Sequence, residues 1–210
     1  MTSYTDYIFL LSPPEKINNE IARYKKASVK YIGDFDGMSS PANISINQLD
    51  RQKAYMVDAA FERIEAKLHA MPAILLHLDG FKHFDHLHSK MTIYAYIRST
   101  PAMEDWFALL RKNLNIKKAL VPHITVVRNI PEADFNKLWP NFKNKKLLEP
   151  FWIYELKILQ RESFGTTAGK WQAYKTIKFK NTAGFAGKDT WVAQKEAAAE
   201  VVAKKQVKLF

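Results

Sequence analysis

The segment around His123 places a proton carrier beside a hydroxyl group. It comprises residues 121–128, VPHITVVR, and its β-branched residues after a proline predict a buried strand. Since side chains alternate along a strand, we expect His123 and Thr125 on the same face. An imidazole that exchanges protons near neutral pH would then lie beside a hydroxyl donor. Taken alone, the pattern also fits a structural strand histidine, because four-residue patterns of this kind are common.

An earlier segment repeats this pattern. Residues 41–46 read PANISI, with Asn43 at the histidine position and Ser45 at the threonine position. Each segment follows one helix-like stretch and precedes another, at 15–29 and 52–70 for the first segment and at 102–116 and 132–143 for the second. An internal duplication of this kind predicts two similar lobes whose motif strands face one another across a cleft.

The paired motifs resemble those of a known family. His-x-Thr/Ser-x patterns about 80 residues apart, each on a strand of a duplicated lobe, are similar to the two-histidine phosphoesterase superfamily. The nearest branch is the bacterial 2′-5′ RNA ligase and cyclic phosphodiesterase group. His-Ile-Thr-Val followed by Arg128 resembles that group's His-x-Thr-Leu-x-Arg pattern, whereas Asn43 replaces the first histidine. The resemblance covers roughly residues 5–180.

The duplication and the resemblance together predict an α+β fold. We expect two similar lobes, each an antiparallel sheet with helices on its outer face, and motif strands that line a central cleft. The two-lobed domain is expected over residues 1–180, with lobes at about 1–90 and 91–180. Residues 181–210 are expected to form a linker and a C-terminal helix.

The resemblance also implies a chemistry. In the resembled family two histidines flank a phosphodiester: one removes a proton from water or a ribose hydroxyl, and the other protonates the departing oxygen. Carried over to this sequence, His123 is the remaining acid or base, while Thr125 and Ser45 donate hydrogen bonds to the phosphate. Arg128 is the expected charge partner for the substrate. No metal or cofactor is implied.

Two residues complicate this assignment. The odd offset of Arg128 from His123 places them on opposite faces unless the strand ends or bulges between them. The amide of Asn43 can orient a phosphate oxygen but does not exchange protons at neutral pH, and losing one acid or base costs about 10²–10⁴ in rate. Three interpretations stay open: an active enzyme with substituted machinery, a weakened homologue that binds nucleotides or RNA ends, or an unrelated basic α+β protein.

A cluster of histidines follows the predicted strand 73–78. His83, His86 and His88 lie close together near Asp85, and such spacing can suit a metal ion. We favour a solvent-exposed hairpin rim, because compact ligand clusters are commonly coincidental. A further possibility is that one of these imidazoles replaces the histidine missing at position 43.

The amino-acid composition excludes some kinds of site and favours one class of binding partner. The 210 residues carry a net charge of +11 and include no cysteine, which excludes disulfides, thiolate metal sites and a cysteine nucleophile. Excess positive charge favours polyanions, so RNA ends or cyclic nucleotides are the expected partners. Neither a signal peptide nor a membrane span is evident, so we expect a cytoplasmic protein. The sequence does not predict the oligomeric state.

Two further predictions concern the body of the fold. The aromatic stripe around Trp106 in the helix 102–116 is expected to form core and not a nucleotide platform. Residues 151–159 and 171–179 are expected to form the final pair of strands.

Overall fold

The computed structural model describes residues 4–164 and 170–181 of the chain. The predicted linker and C-terminal helix at 181–210 lie outside the described residues, apart from Asn181. None of the described helices is long and apolar enough to cross a lipid bilayer.

Eight strands and four helices make up the described part of the chain. The strands are β1 (Tyr4–Leu11), β2 (Ile44–Lys53), β3 (Ile74–His86), β4 (Lys90–Ile97), β5 (His123–Pro131), β6 (Pro150–Ile153), β7 (Glu155–Glu162) and β8 (Gln172–Lys178). The helices are α1 (Glu15–Ile32), α2 (Ala54–His69), α3 (Pro101–Asn113) and α4 (Glu132–Phe142), and a short 3₁₀ turn covers Leu87–Ser89.

The strands form two four-stranded antiparallel sheets. The first has the order β2-β1-β7-β8 and the second the order β5-β4-β3-β6. Each motif segment supplies the start of an edge strand, β2 in one sheet and β5 in the other. The predicted α+β fold with two similar lobes is therefore confirmed.

The chain is divided between the lobes differently from the expected boundary near residue 90. The first sheet takes strands from residues 4–53 and 155–178, and the second takes strands from residues 74–153. A cut at residue 90 would separate β3 from β4, which pair directly along most of their length. The similarity between the two halves of the sequence did not reveal this division, because the division depends on β7 and β8 returning to the first sheet.

The expected strand 151–159 is in fact two strands in different sheets. β6 pairs with β3, whereas β7 lies between β1 and β8. The buried positions change phase at the crossing, from Phe151 and Ile153 to Leu156 and Ile158. That shift of one residue marks the place where the chain leaves one sheet for the other.

The helices cover the sheets with their apolar faces. α2 contacts β2 and β8, while α1 contacts α4 and β5, which belongs to the second sheet. In α3 the side chain of Thr100 caps the first turn by accepting a hydrogen bond from the amide of Met103. Trp106 is fully buried and its indole nitrogen donates to the carbonyl of Pro72, which confirms that the aromatic stripe is core.

Candidate active site

The two motif strands meet at a cleft between the sheets. β2 and β5 are in contact, and a cavity of about 370 Å³ opens between them. Asn43, just before β2, and Ser45, in β2, line it from one side, and Thr125 and Arg128 line it from β5. Lys25, from α1, lines the same cavity. The structure thus brings four of the five predicted site residues together, along with a lysine that sequence reasoning did not select.

The fifth predicted residue, His123, lies in an adjoining cavity of about 400 Å³. Thr125 and Arg128 line both cavities, so they stand at the junction. The second cavity is otherwise lined by side chains of the second sheet, Phe84, His86, Thr92 and Asn129. The two cavities therefore adjoin as sections of one groove, the first lined by polar side chains of both motifs together with apolar ones, and the second lined by His123 and other side chains of the second sheet.

A bulge in β5 places Arg128 on the face of the site. Tyr94 pairs with Thr125 and Ile93 pairs with Val127, so Val126 is an extra residue on the motif strand. The inserted residue reverses the alternation that follows it. Arg128 consequently joins Thr125 in lining the groove, and the bulge that this placement requires is present.

The first motif strand has a bulge at the equivalent position. Leu10 pairs with Ser45 and Phe9 pairs with Asn47, so Ile46 is the extra residue. Ile46 follows Ser45 as Val126 follows Thr125. The duplication read from the motifs is thus repeated in the geometry of the strands.

A second bulge in each strand extends the correspondence. Arg51 in β2 and Asn129 in β5 have left-handed φ values of 54° and 55°. Their amides donate hydrogen bonds of 3.0 Å to buried side-chain oxygens, Oδ1 of Asp6 and Oγ1 of Thr92 respectively. Both lobes therefore fix the outer part of the motif strand with the same device.

The imidazole of His123 is oriented for proton exchange. Its Nδ1 lies 2.7 Å from the carbonyl oxygen of Val121 and donates to it, which leaves Nε2 as the free acceptor in the neutral ring. The ring packs edge-on against Phe84 and Tyr94. Burial lowers the pKa of His123, and the positive charge of Arg128 adds to this, against the opposing effect of the Val121 hydrogen bond. The neutral, basic form therefore dominates at neutral pH.

Asn43 is held by its immediate neighbours. Its amide nitrogen donates to the carbonyl of Pro41 over 3.1 Å, and its Oδ1 accepts from the hydroxyl of Ser45 over 3.3 Å. Both side chains reach the cavity. The amide can therefore orient Ser45 or a bound phosphate, but it supplies no proton.

Lys25 is the functional candidate that the sequence reasoning missed. The residue is only 5% exposed, and Nζ donates hydrogen bonds of 2.8 Å to the carbonyls of Gly37 and Ser40. Burial lowers its pKa, and Arg128 lowers it further. A signal was available, because Lys25 continues the buried stripe of Ile17 and Ile21 at intervals of four residues.

The three clustered histidines point to different surroundings. His83 packs against two aromatic side chains of α4 and pairs with Asp85. His86 lies 2.9 Å from Oγ1 of Thr92 in the cavity that contains His123, and His88 occupies the 3₁₀ turn. Within residues 4–164 and 170–181, no group of three potential metal ligands converges. His86 is the member of the cluster placed near the site.

Comparison with known proteins identifies the family of this chain. The family model described as the 2′-5′ RNA ligase superfamily matches residues 13–163. The structure of Escherichia coli LigT complexed with 3′-AMP has a TM-score of 0.59 at 15% identity, with 84% of this chain and 98% of that chain covered. TT0787 of Thermus thermophilus has a TM-score of 0.59 at 10% identity, with coverage of 84% and 99%.

At these identities the structural likeness establishes the fold alone, whereas the family model spans most of the chain. No curated protein sequence matches the chain. The match over residues 13–163 includes both motif strands and all five predicted site residues. The chain therefore belongs to the 2′-5′ RNA ligase superfamily, among the two-histidine phosphoesterases, as its paired motifs predicted.

Proposed function

We propose that the protein is a metal-independent phosphoesterase that opens 2′,3′-cyclic phosphates of nucleotides and RNA ends. The observation that carries the proposal is the groove itself. It joins two hydroxyl donors and two cations in one section to a neutral imidazole in the next. A phosphate needs hydrogen-bond donors and positive charge around its oxygens, and its hydrolysis needs a base beside it.

The residues divide the reaction between them. On phosphate binding the hydroxyl of Ser45 turns away from Oδ1 of Asn43. Ser45 and Thr125 then donate hydrogen bonds to the non-bridging phosphate oxygens, and Arg128 offsets the charge that grows on them. His123 accepts a proton from water at Nε2, because Nδ1 is already committed to Val121. The pKa of His123, lowered by burial, keeps Nε2 available as a base at neutral pH.

The substrate class rests on charge and on similarity. A net charge of +11 favours polyanions, and the similar E. coli protein was crystallised with 3′-AMP. RNA ends and 2′,3′-cyclic nucleotides combine a phosphate with a nucleoside, so both fit a groove that continues past the first section. We infer the same ligands for this chain, in the cytoplasm and without a cofactor.

Hydrolysis of 2′,3′-cyclic AMP tests the proposal. The wild type is expected to open the ring, and His123→Ala to lose about 10²–10⁴ in rate, the contribution typical of one acid or base. The matched control is His69→Ala, since His69 lies on α2 outside both cavities. Equal activity in the wild type and His123→Ala would contradict the proposed role of His123.

Asn43 supports a second candidate function, binding of RNA or nucleotides without turnover. In that case the wild type binds an oligonucleotide in competition with phosphate but does not hydrolyse the cyclic ring. Asn43→His would then gain activity on the order of a hundredfold, the low end of what one acid or base supplies. Wild-type turnover that is lost in His123→Ala would exclude this alternative.

A further inference from the structure

Lys25 is an isolated positive charge inside the protein. Among the described residues it is the one buried lysine, and none of the ion pairs between described side chains includes it. Burying an ammonium group without a carboxylate is costly. A residue of this kind is retained at a cost in stability, which makes it a candidate for function.

The contacts of Lys25 leave one donor available to the cavity. An ammonium group has three N–H donors, and the described structure provides two acceptors, the carbonyls of Gly37 and Ser40. Both carbonyls belong to the loop that leads from α1 into the first motif. Lys25 lines the same cavity as Asn43, the residue that replaces the first motif histidine. Its remaining donor is therefore in the cavity where that histidine is missing.

Resting on the proposed function, we propose that Lys25 is the catalytic acid of this protein and replaces the histidine absent at position 43. His123 takes a proton from water, and the water oxygen forms a bond to phosphorus. The bond from phosphorus to the bridging oxygen of the ring breaks, and that oxygen receives a proton from the Lys25 ammonium. Solvent then reprotonates the lysine and deprotonates the histidine, so the cycle needs no further reactant.

The charges around Lys25 suit this role. Burial and the neighbouring charge of Arg128 lower the pKa of Lys25, which makes the ammonium a stronger acid than an exposed lysine. Asp36 also lines the cavity but forms no ion pair with Lys25. His86 is the competing candidate, yet it lies in the section with His123 and not in the section with Asn43.

A substrate whose leaving group departs without a proton distinguishes a lysine that acts as the catalytic acid from one that has only a structural role. The two substrates are 2′,3′-cyclic AMP and its analogue with sulfur in place of the leaving bridging oxygen, which departs as a thiolate. Lys25→Met is expected to slow the oxygen substrate by about a hundredfold or more and to leave the sulfur analogue close to the wild-type rate. Lys26→Met is the matched control, because Lys26 is the exposed neighbour on the same helix.

Restoring the histidine provides the second arm. Asn43→His in the Lys25→Met background is expected to recover most of the lost turnover of the oxygen substrate, whereas the same change in the wild type adds little. A lysine that merely secures the loop would slow both substrates alike and would not be rescued. Circular dichroism and thermal melts identify a variant that fails to fold. If Lys25→Met fails to fold, Lys25→Arg is compared on the two substrates instead, because arginine keeps the charge but is a far weaker acid.

The outcomes distinguish this inference from the function on which it rests. Equal loss on both substrates in a folded Lys25 variant, or no loss on either, would overturn the role of Lys25 and leave the proposed function intact. If His86→Ala slows the oxygen substrate but not the sulfur analogue, and Lys25→Met does not show this difference, then His86 is the acid instead. Absence of wild-type turnover of both compounds would overturn the proposed function and the assignment together.

Discussion

Replacing Arg128 by Met tests whether one cation acts on both sections of the groove. Arg128 lines the two cavities and is exposed at its position in β5. Its positive charge contributes to lowering the pKa of His123. Met keeps much of the side-chain length and removes the charge, so the two effects of the charge are lost together.

The expected losses follow from the exposure of the side chain. A hydrogen bond to a charged group contributes about 1.5–3 kcal/mol, and solvent screening at an exposed position favours the lower end. We therefore expect phosphate-containing ligands to bind about tenfold more weakly. The pKa of His123 should rise in Arg128→Met, because the repulsion between Arg128 and the protonated ring has gone, while burial still holds that pKa down.

Two measurements check this prediction. Calorimetric titration with 3′-AMP gives the affinity, and the acid limb of kcat/KM, or NMR of the imidazole, gives the pKa of His123. In the wild type the acid limb is expected below the ordinary histidine value of 6.5. Arg63→Met is the matched control, since Arg63 is exposed on α2. Unchanged affinity together with an unchanged or lower His123 pKa would refute the placement of Arg128.

Three further predictions concern the framework of the site. Asp6→Ala should lower the free energy of unfolding by about 1.5–3 kcal/mol in urea titrations, because Arg161, whose side chain is 29% exposed, loses a hydrogen bond to a charged partner. A loss below about 1 kcal/mol would contradict the pairing. Burial raises the pKa of Asp6, but hydrogen bonds and the charge of Arg161 lower it overall, so this stabilisation should disappear as the pH falls below 3.8. Asn129→Gly should leave the melting temperature nearly unchanged, whereas Asn129→Val should lower it. The reason is that the left-handed backbone at this position tolerates Gly but not a β-branched residue. Equal melting temperatures of the two variants would contradict that reasoning. Trp106→Phe should cost about 1–3 kcal/mol in chemical unfolding, because the buried carbonyl of Pro72 loses its donor, and an unchanged midpoint would show that water or another group replaces it.

Local patterns in the sequence were sufficient to predict the motif strands. Alternation around His123 and the repeat at Asn43 identified both strands, and the α+β class followed. The offset of Arg128 even indicated where a bulge was needed, since only an extra residue returns it to the face of Thr125. These inferences succeeded because each depends on the geometry of a single strand.

Features that depend on distant pairing were not predictable in the same way. The division of the chain between the two sheets depends on the pairing of β7 with β1. Local sequence patterns do not predict which strand pairs with a strand so distant in sequence. The change of sheet at Tyr154 was visible only as a one-residue shift in the buried positions. Lys25 was overlooked because lysines are almost always exposed, although its spacing from Ile21 placed it on the buried face of α1.

A crystal structure with a bound nucleoside 3′-phosphate would show directly whether both motif strands hold the same phosphate. We expect phosphate oxygens at about 3 Å from the hydroxyls of both Ser45 and Thr125, with Nε2 of His123 directed at the ligand. A phosphate held by one motif strand alone, or an imidazole turned away from it, would contradict the claim.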